Sequence, residues 1–191
     1  MKKAELRKLY LQKMTGLSKE DHALKSKNIC EVFLSSFNLG QYKSLHIFLP
    51  IIRNNEVNTR CIIQEVKRLH PEISIIIPKS DFKTLDMSAH ILGEETELVE
   101  SPSGILEPST LKFFNEEEID IVILPLLAFD KKGFRVGYGK GFYDRFLKKC
   151  RKDVEKIGVS FFDPVEIIED VNENDVPMEY CITPEKLFAF N

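Results

Sequence analysis

The stretch RVGYGKGFYD, Arg135 to Asp144, places three glycines at alternate positions (Gly137, Gly139, Gly141) together with two cations, Arg135 and Lys140, and closes on a carboxylate, Asp144. Glycines let backbone amides approach phosphate oxygens without a side chain in the way. A helix starting after Gly141 would add its free amides, and Arg135 and Lys140 supply full charges. The pattern predicts a nucleotide phosphate-binding loop. It is not a dinucleotide fingerprint, whose third glycine would fall at Phe142, and a DKKG turn separates it from the preceding strand. Nor is it a Walker motif, because Lys140 precedes Gly141 rather than Ser or Thr. The plain alternative is a tight strand-to-helix turn. A carboxylate such as Asp144 repels phosphate unless a cation lies between them, and magnesium, which accepts a few carboxylates plus phosphate oxygens, is the natural bridge.

The elements that must position this loop follow from hydrophobic periodicity. Leu6, Leu9, Tyr10, Met14 and Leu17 predict an amphipathic helix over 3–15 that ends near Gly16. Ser18 caps a second helix with Asp21, and Ile29, Cys30, Phe33, Leu34 and Phe37 form its inner face. Residues 44–49 and 73–77 read as buried strands on either side of a helix over 59–69, a β-α-β unit. Residues 84–100 predict antiparallel edge strands, 101–108 a Pro/Gly/Ser loop, and 119–124 and 157–161 further buried strands. Phe142, Phe146, Leu147 and Cys150 give the helix after the glycines its inner face. The expected fold is α/β: a mostly parallel sheet with helices on both faces, three-layered and Rossmann-like, with some antiparallel edge strands, in one domain over 1–191. Ligands of such sheets bind beyond the carboxyl ends of the strands, so the loops after Leu49, Leu124 and Phe161 should converge.

Bulk composition narrows the partners. Net charge is −3 over 191 residues, so neither nucleic acid nor membrane is an expected partner. The four cysteines, Cys30, Cys61, Cys150 and Cys181, show no zinc-type spacing and read as buried thiols. Without a signal-like or membrane-spanning run, the expected compartment is cytoplasmic. Charge is uneven: residues 130–152 hold nine Lys or Arg against two Asp, residues 1–13 five against one Glu, and residues 153–191 ten acids against two lysines. The four histidines, His22, His46, His70 and His90, are scattered and suggest no site.

Lys3, Arg7, Glu56, the stretch LPLLAFDKKGFRVGYGKGFYDRFL, the acidic NEND and Thr183-Pro-Glu185 together give a sequence that resembles the 5-formyltetrahydrofolate cyclo-ligase family along essentially its whole length. The resemblance implies closure of 5-formyltetrahydrofolate to 5,10-methenyltetrahydrofolate with ATP as co-substrate and Mg2+ as cofactor. The γ-phosphoryl group passes to the formyl oxygen, the folate 10-nitrogen attacks, and phosphate leaves. It further implies that Lys3, Arg7, Arg135, Val136, Gly137, Tyr138, Gly139, Lys140, Gly141, Phe142 and Tyr143 contact ATP. Leu49, Glu56, Tyr138, Gly139, Lys140, Gly141 and Phe142 would contact the folate, with Glu56 accepting from pterin N–H groups. Arg135 and Lys140 become the expected catalytic residues, Asp144 and Asp175 the magnesium ligands, and the enzyme a monomer acting on small molecules. The loop between Leu49 and Glu56 is longer than in some relatives, which makes Ile51 an alternative to Leu49. Phe142 stands where many members have Tyr, and Glu179 where many have Asp. Phosphosugar isomerase or CoA-transferase chemistry on a related scaffold would need an internal base or a glutamate nucleophile, which the glycine-lysine loop does not supply.

Overall fold

The computed structural model of the chain describes residues 1–101 and 104–190. In chain order its helices are α1 (Lys3–Thr15), α2 (Lys19–Ser36), α3 (Arg60–Leu69) and α4 (Phe142–Leu147). Its strands are β1 (Ser44–Ile47), β2 (Ser74–Asp81), β3 (Asp86–Ile91), β4 (Leu98–Glu100), β5 (Leu106–Pro108), β6 (Ile121–Pro125), β7 (Ala128–Phe129), β8 (Arg135–Val136), β9 (Glu155–Val159), β10 (Tyr180–Ile182) and β11 (Leu187–Ala189).

Seven strands form one sheet in the order β11-β10-β9-β6-β1-β2-β3. The five inner strands are parallel, while β3 and β11 pair antiparallel at the two edges. Period-two alternation sorts their side chains. Leu45, Ile47, Ile75, Ile77, Ile121 and Ile123 pack under α1, α2 and α3, whereas Ile76, Val122 and Leu124 face α4 and the C-terminal strands. Helices therefore cover both faces as expected, but unequally: three full-length helices on one side and a six-residue helix on the other.

Local sequence accounts for the helix ends. Leu6, Tyr10 and Met14, each one turn apart, are buried, and Gly16 closes α1 with its N–H on Gln12 O at 3.0 Å. Leu9, an expected core residue, is exposed because it falls off that stripe. Ser18 Oγ accepts from Asp21 N at 3.0 Å, the cap expected for α2. At α3, Asn58 Oδ1 accepts from Arg60 N, while Thr59 Oγ1 donates to Phe48 O at 2.6 Å and ties the helix start to the end of β1.

Two expectations need correction. Part of the loop expected over 101–108 is a strand: β5 pairs antiparallel with β4, and buried Glu107 accepts from Ser80 N at 3.0 Å. Pro102 and Ser103 of that segment lie outside the described residues. The loop after Phe161 leaves the same end of the sheet as the others but contributes no residue to the cavity they line. Phe161 stacks on His22 and Phe162 on Tyr10, so two aromatic side chains draw it down onto α1 and α2.

The DKKG turn between β7 and β8 is held by one carboxylate. Asp130, fully buried, accepts from Lys132 N and Phe134 N through Oδ1 and from Ile168 N through Oδ2, at 3.0, 3.0 and 3.1 Å. Asp130→Ala leaves three amides, the buried one of Ile168 among them, without this partner and is expected to lower unfolding free energy by about 2 kcal/mol in urea titrations.

Candidate functional site

The strand order reverses between β1 and β6, and a cavity of about 530 Å³ opens there beyond their carboxyl ends. Phe48 and Leu49 after β1, Pro78 in β2 and Pro125 at the end of β6 line its apolar part. The whole of Arg135 to Asp144 lines it too, with Lys3 and Arg7 from α1, Glu56 from the loop before α3, and Asp175. Every residue expected to contact nucleotide, folate or metal thus borders one space. Both Leu49 and Ile51 reach it, so neither replaces the other.

α1 is fastened to the site by charge. The N-terminal amine meets Glu169 at 2.7 Å, Lys3 N donates to Asp170 at 2.7 Å, and Lys3 Nζ pairs with Asp175 at 2.5 Å. One turn on, Arg7 Nε donates to Gly137 O at 3.0 Å. The basic N-terminus and the acidic C-terminal third are therefore partners, not separate solvated faces.

Arg135 has only 6% of its side chain exposed. Its Nη2 pairs with Asp144 Oδ1 at 2.8 Å and its Nη1 donates to Val176 O at 2.5 Å, so the guanidinium is spent on holding α4 and the C-terminal loop together. Lys140 is exposed at the cavity and makes no ion pair among the described residues. An anion entering here would meet Lys140 and the remaining N–H groups of Arg7.

Gly139 and Gly141 adopt φ of +87° and +68°, conformations that side chains rarely take. A Cβ at Gly139 would lie 3.1 Å from the Arg7 guanidinium, whereas one at Gly137 would meet nothing within 4 Å.

For a divalent cation, Asp144 and Asp175 present two carboxylates to the cavity. Asp144 Oδ1 accepts from Arg135 and from Val176 N, while Oδ2 has no hydrogen bond among the described residues. No cluster of three His, Cys, Asp or Glu forms among the described residues. A hard cation here would draw its other ligands from phosphate and water, the coordination magnesium favours.

The folate side of the expectation centres on Glu56, which is 5% exposed. Its Oε2 accepts from Ile51 N at 2.7 Å. His22 Nε2 donates to the Glu56 carbonyl at 2.7 Å, a contact the sequence did not suggest, since no spacing links His22 to the loop. The Tyr138 hydroxyl lies beside Glu56 and Asn54 without hydrogen-bond geometry to either, and the buried Tyr143 hydroxyl is also unpartnered among the described residues. Burial pushes the Glu56 carboxyl above the ordinary carboxylate range, opposed by the Ile51 amide. His46, assigned nothing from sequence, sits fully buried on β1 beneath this group, its ring 4.6 Å from Phe146 and 6.0 Å from Tyr143. Burial lowers its pKa to about 3, so it stays neutral. Phe82 and Met87 of the β2–β3 hairpin line the cavity as well. Glu179 lies away from it, pairing with Lys156 at 2.6 Å.

The sequence model of the 5-formyltetrahydrofolate cyclo-ligase family matches residues 1–184. The chain belongs to that family. It is an enzyme of the ligase class. The 5-formyltetrahydrofolate cyclo-ligase of Mus musculus is 30% identical over 155 residues, covering 78% of this chain and 74% of its own. The mitochondrial enzyme of Arabidopsis thaliana is also 30% identical, over 165 residues, and this chain spans 59% of its length. The solved structure of Aquifex aeolicus 5,10-methenyltetrahydrofolate synthetase matches at a TM-score of 0.83 with 30% identity, covering 100% of this chain and 94% of that one. That of the Mycoplasma pneumoniae synthetase matches at 0.77 with 24% identity, covering 96% and 99%, which is a likeness of fold. No helix among the described residues is long and apolar enough to cross a membrane. Family membership sets aside the isomerase and transferase alternatives, and small molecules are the substrates of such a cyclo-ligase.

Two outcomes check this geometry. Gly139→Ala is expected to lower the melting temperature of this cyclo-ligase by about 4 °C through its positive φ and the nearby Arg7, while Gly137→Ala leaves it within about 1 °C. Glu56→Gln tests the raised carboxyl. Because the folded-state pKa exceeds the unfolded one, the contribution of Glu56 to stability is full at acid pH and is lost as pH rises through the raised value. The variant, always neutral, is expected to be more stable than wild type by about 1 kcal/mol at pH 8, with the difference vanishing near and below about pH 4.

Proposed function

We propose that this chain converts 5-formyltetrahydrofolate to 5,10-methenyltetrahydrofolate, with ATP consumed to ADP and phosphate and with Mg2+ as cofactor. The observation that carries the reading is that one cavity is lined both by a glycine loop with its cations and by a buried glutamate, Glu56. The first suits phosphates and the second suits a ring that donates several N–H bonds.

The chemistry asks mainly for placement. A formamide oxygen leaves poorly, so it attacks the γ-phosphorus of ATP, the phosphorus–oxygen bond to ADP breaks, and the formyl carbon becomes electrophilic. The 10-nitrogen lone pair closes the ring onto that carbon, its proton departs, and the carbon–oxygen bond breaks to release phosphate. Lys140 and Arg7 offset the charge of the transferring group, while the glycine amides hold its oxygens. Arg135 acts behind them by fixing Asp144. Leu49, Ile51, Tyr138 and Phe142 wall in the folate, and Glu56 orients it. Asp144 and Asp175 would hold a magnesium ion, which would supply positive charge to offset that of the phosphates. We further propose that it acts as a monomer in the cytoplasm.

Pure protein given 5-formyltetrahydrofolate, ATP and Mg2+ should generate the absorbance of the methenyl product. Absence of product with both ligands still bound would reduce the reading to a binding protein. Lys140→Ala is expected to lower kcat by about 100-fold, and Glu56→Gln to raise the KM for folate while leaving that for ATP unchanged. A selective ATP defect in the Glu56 variant would refute the assignment of the folate end.

A further inference from the structure

The glycine loop is also held by Arg145 of α4, the residue after the Asp144 that pairs with Arg135. Arg145 Nε donates to Leu85 O at 2.8 Å, Nη2 donates to the same carbonyl, and Nη2 also donates to Lys140 O at 2.8 Å. Its guanidinium lies 5.7 Å from the Phe142 ring centre, and Phe142 stacks edge-on against Phe82 at 5.1 Å. Lys149, further along, pairs with Asp86 at 2.5 Å. The turn between β2 and β3 is thus seated on the residues that follow the glycine loop. That turn and the loop both contain left-handed backbone: Leu85 has φ +57° and Gly141 φ +68°.

The peptide joining Lys140 to Gly141 has two faces that matter. The described chain contains no cis peptide, so the Lys140 carbonyl and the Gly141 N–H point in opposite directions. Arg145 takes the carbonyl. The Gly141 N–H has no hydrogen-bond partner among the described residues, and Gly141 lines the cavity. A half-turn of this one peptide would exchange the two groups and aim a carbonyl oxygen, a partial negative charge, at any bound anion. Glycine at 141 makes such a turn sterically cheap, so the sequence alone does not forbid it. Any side chain there would also collide with Arg145, whose Nη1 lies 2.8 Å from the position of a Cβ.

We propose that Arg145 is a positioning residue for the nucleotide: by holding the Lys140 carbonyl and the Leu85 carbonyl together, it locks the Lys140–Gly141 peptide with its N–H toward the phosphates. This rests on the reading that the glycine loop receives ATP. Arg145 touches no substrate. Its planar fork meets the two carbonyls in one fixed geometry, whereas an ammonium group is a rotatable point charge that does not fix their relative position.

The test is ATP binding by calorimetry, with KM and kcat for each substrate, in wild type, Arg145→Ala and Arg145→Lys. Arg145→Ala is expected to weaken ATP binding about tenfold, with the folate KM and the melting temperature unchanged because Arg145 is exposed. Added guanidinium ion should recover ATP affinity in this variant and not alter wild type. Arg145→Lys should fold as wild type and give an intermediate ATP KM. A wild-type ATP KM in Arg145→Lys would overturn the need for a fork. If wild type binds ATP and Arg145→Ala binds it equally, or loses ATP and folate affinity in parallel with stability, the positioning role is wrong. Wild type that binds no ATP would instead sink the functional reading, and this role with it.

Discussion

The buried Arg135 guanidinium is the contact on which the site's shape depends. A charge so far from water needs a counter-charge and hydrogen-bond acceptors, and here Asp144 supplies the first and, with the Val176 carbonyl, the second. Three parts of the chain are fixed by that requirement: β8, which carries Arg135; α4, which carries Asp144; and the loop before β10, which carries Val176. Asp144 in turn accepts from Val176 N, closing the arrangement on itself. The glycine loop is strung between Arg135 and Asp144, so its ends are immobilised before any ligand arrives. Preorganisation of this kind is what phosphoryl transfer asks of a protein.

Around that centre the charge pattern of the sequence becomes intelligible. Opposite charge in the first and last segments brings them together: Lys3 to Asp175, Lys3 N to Asp170, the amino terminus to Glu169. Once α1 is docked, Arg7 reaches Gly137 O and braces the loop from below, as Arg145 braces it from α4. Of the cations bordering the cavity, Lys140 is exposed and outside every ion pair among the described residues, which suits it to meet an incoming anion rather than hold the fold. Salt bridges at the rim are individually weak. Their effect here is geometric, since each one orients a helix or loop whose position the cavity requires.

Much of this was legible in the sequence, for reasons that differ by element. α1, α2, α3 and the strands β1, β2, β6 and β9 announce themselves because a buried stripe or a β-branched run between prolines has few other ways to be satisfied. The glycine loop is legible because alternate glycines beside cations serve few purposes. β10 and β11 are three residues each, too short for periodicity to register, and their place is fixed by pairing with β9 and with each other. β5 was hidden by Pro108 and the glycine before it, signals of a loop that pairing with β4 overrode. Lys3 and Arg7 were readable as ligand contacts only through resemblance, since a lysine and an arginine four apart on a helix are ordinary surface. His22 and Arg145 could not be read at all: each acts on a backbone carbonyl from another element, and a carbonyl leaves no mark in the sequence.

The folate end shows the cost of keeping a site ready. Glu56, the Tyr138 and Tyr143 hydroxyls and both ring nitrogens of His46 are buried, yet apart from the Ile51 amide on Glu56 none finds a hydrogen-bond partner among the described residues. Such groups destabilise a fold. Their clustering on the wall and floor of one cavity is hard to reconcile with packing, because leucine or phenylalanine at these positions would bury without loss. Glu56 and the two tyrosines border the cavity itself, so a ligand with matching donors and acceptors would recover there what folding gives up. Binding would then be strengthened by the same unmet groups that weaken the free protein. His46 does not reach the cavity and gains nothing directly from a ligand. It stays neutral, and its ring packs against Tyr143 and Phe146, so it supports the position of the tyrosine above it.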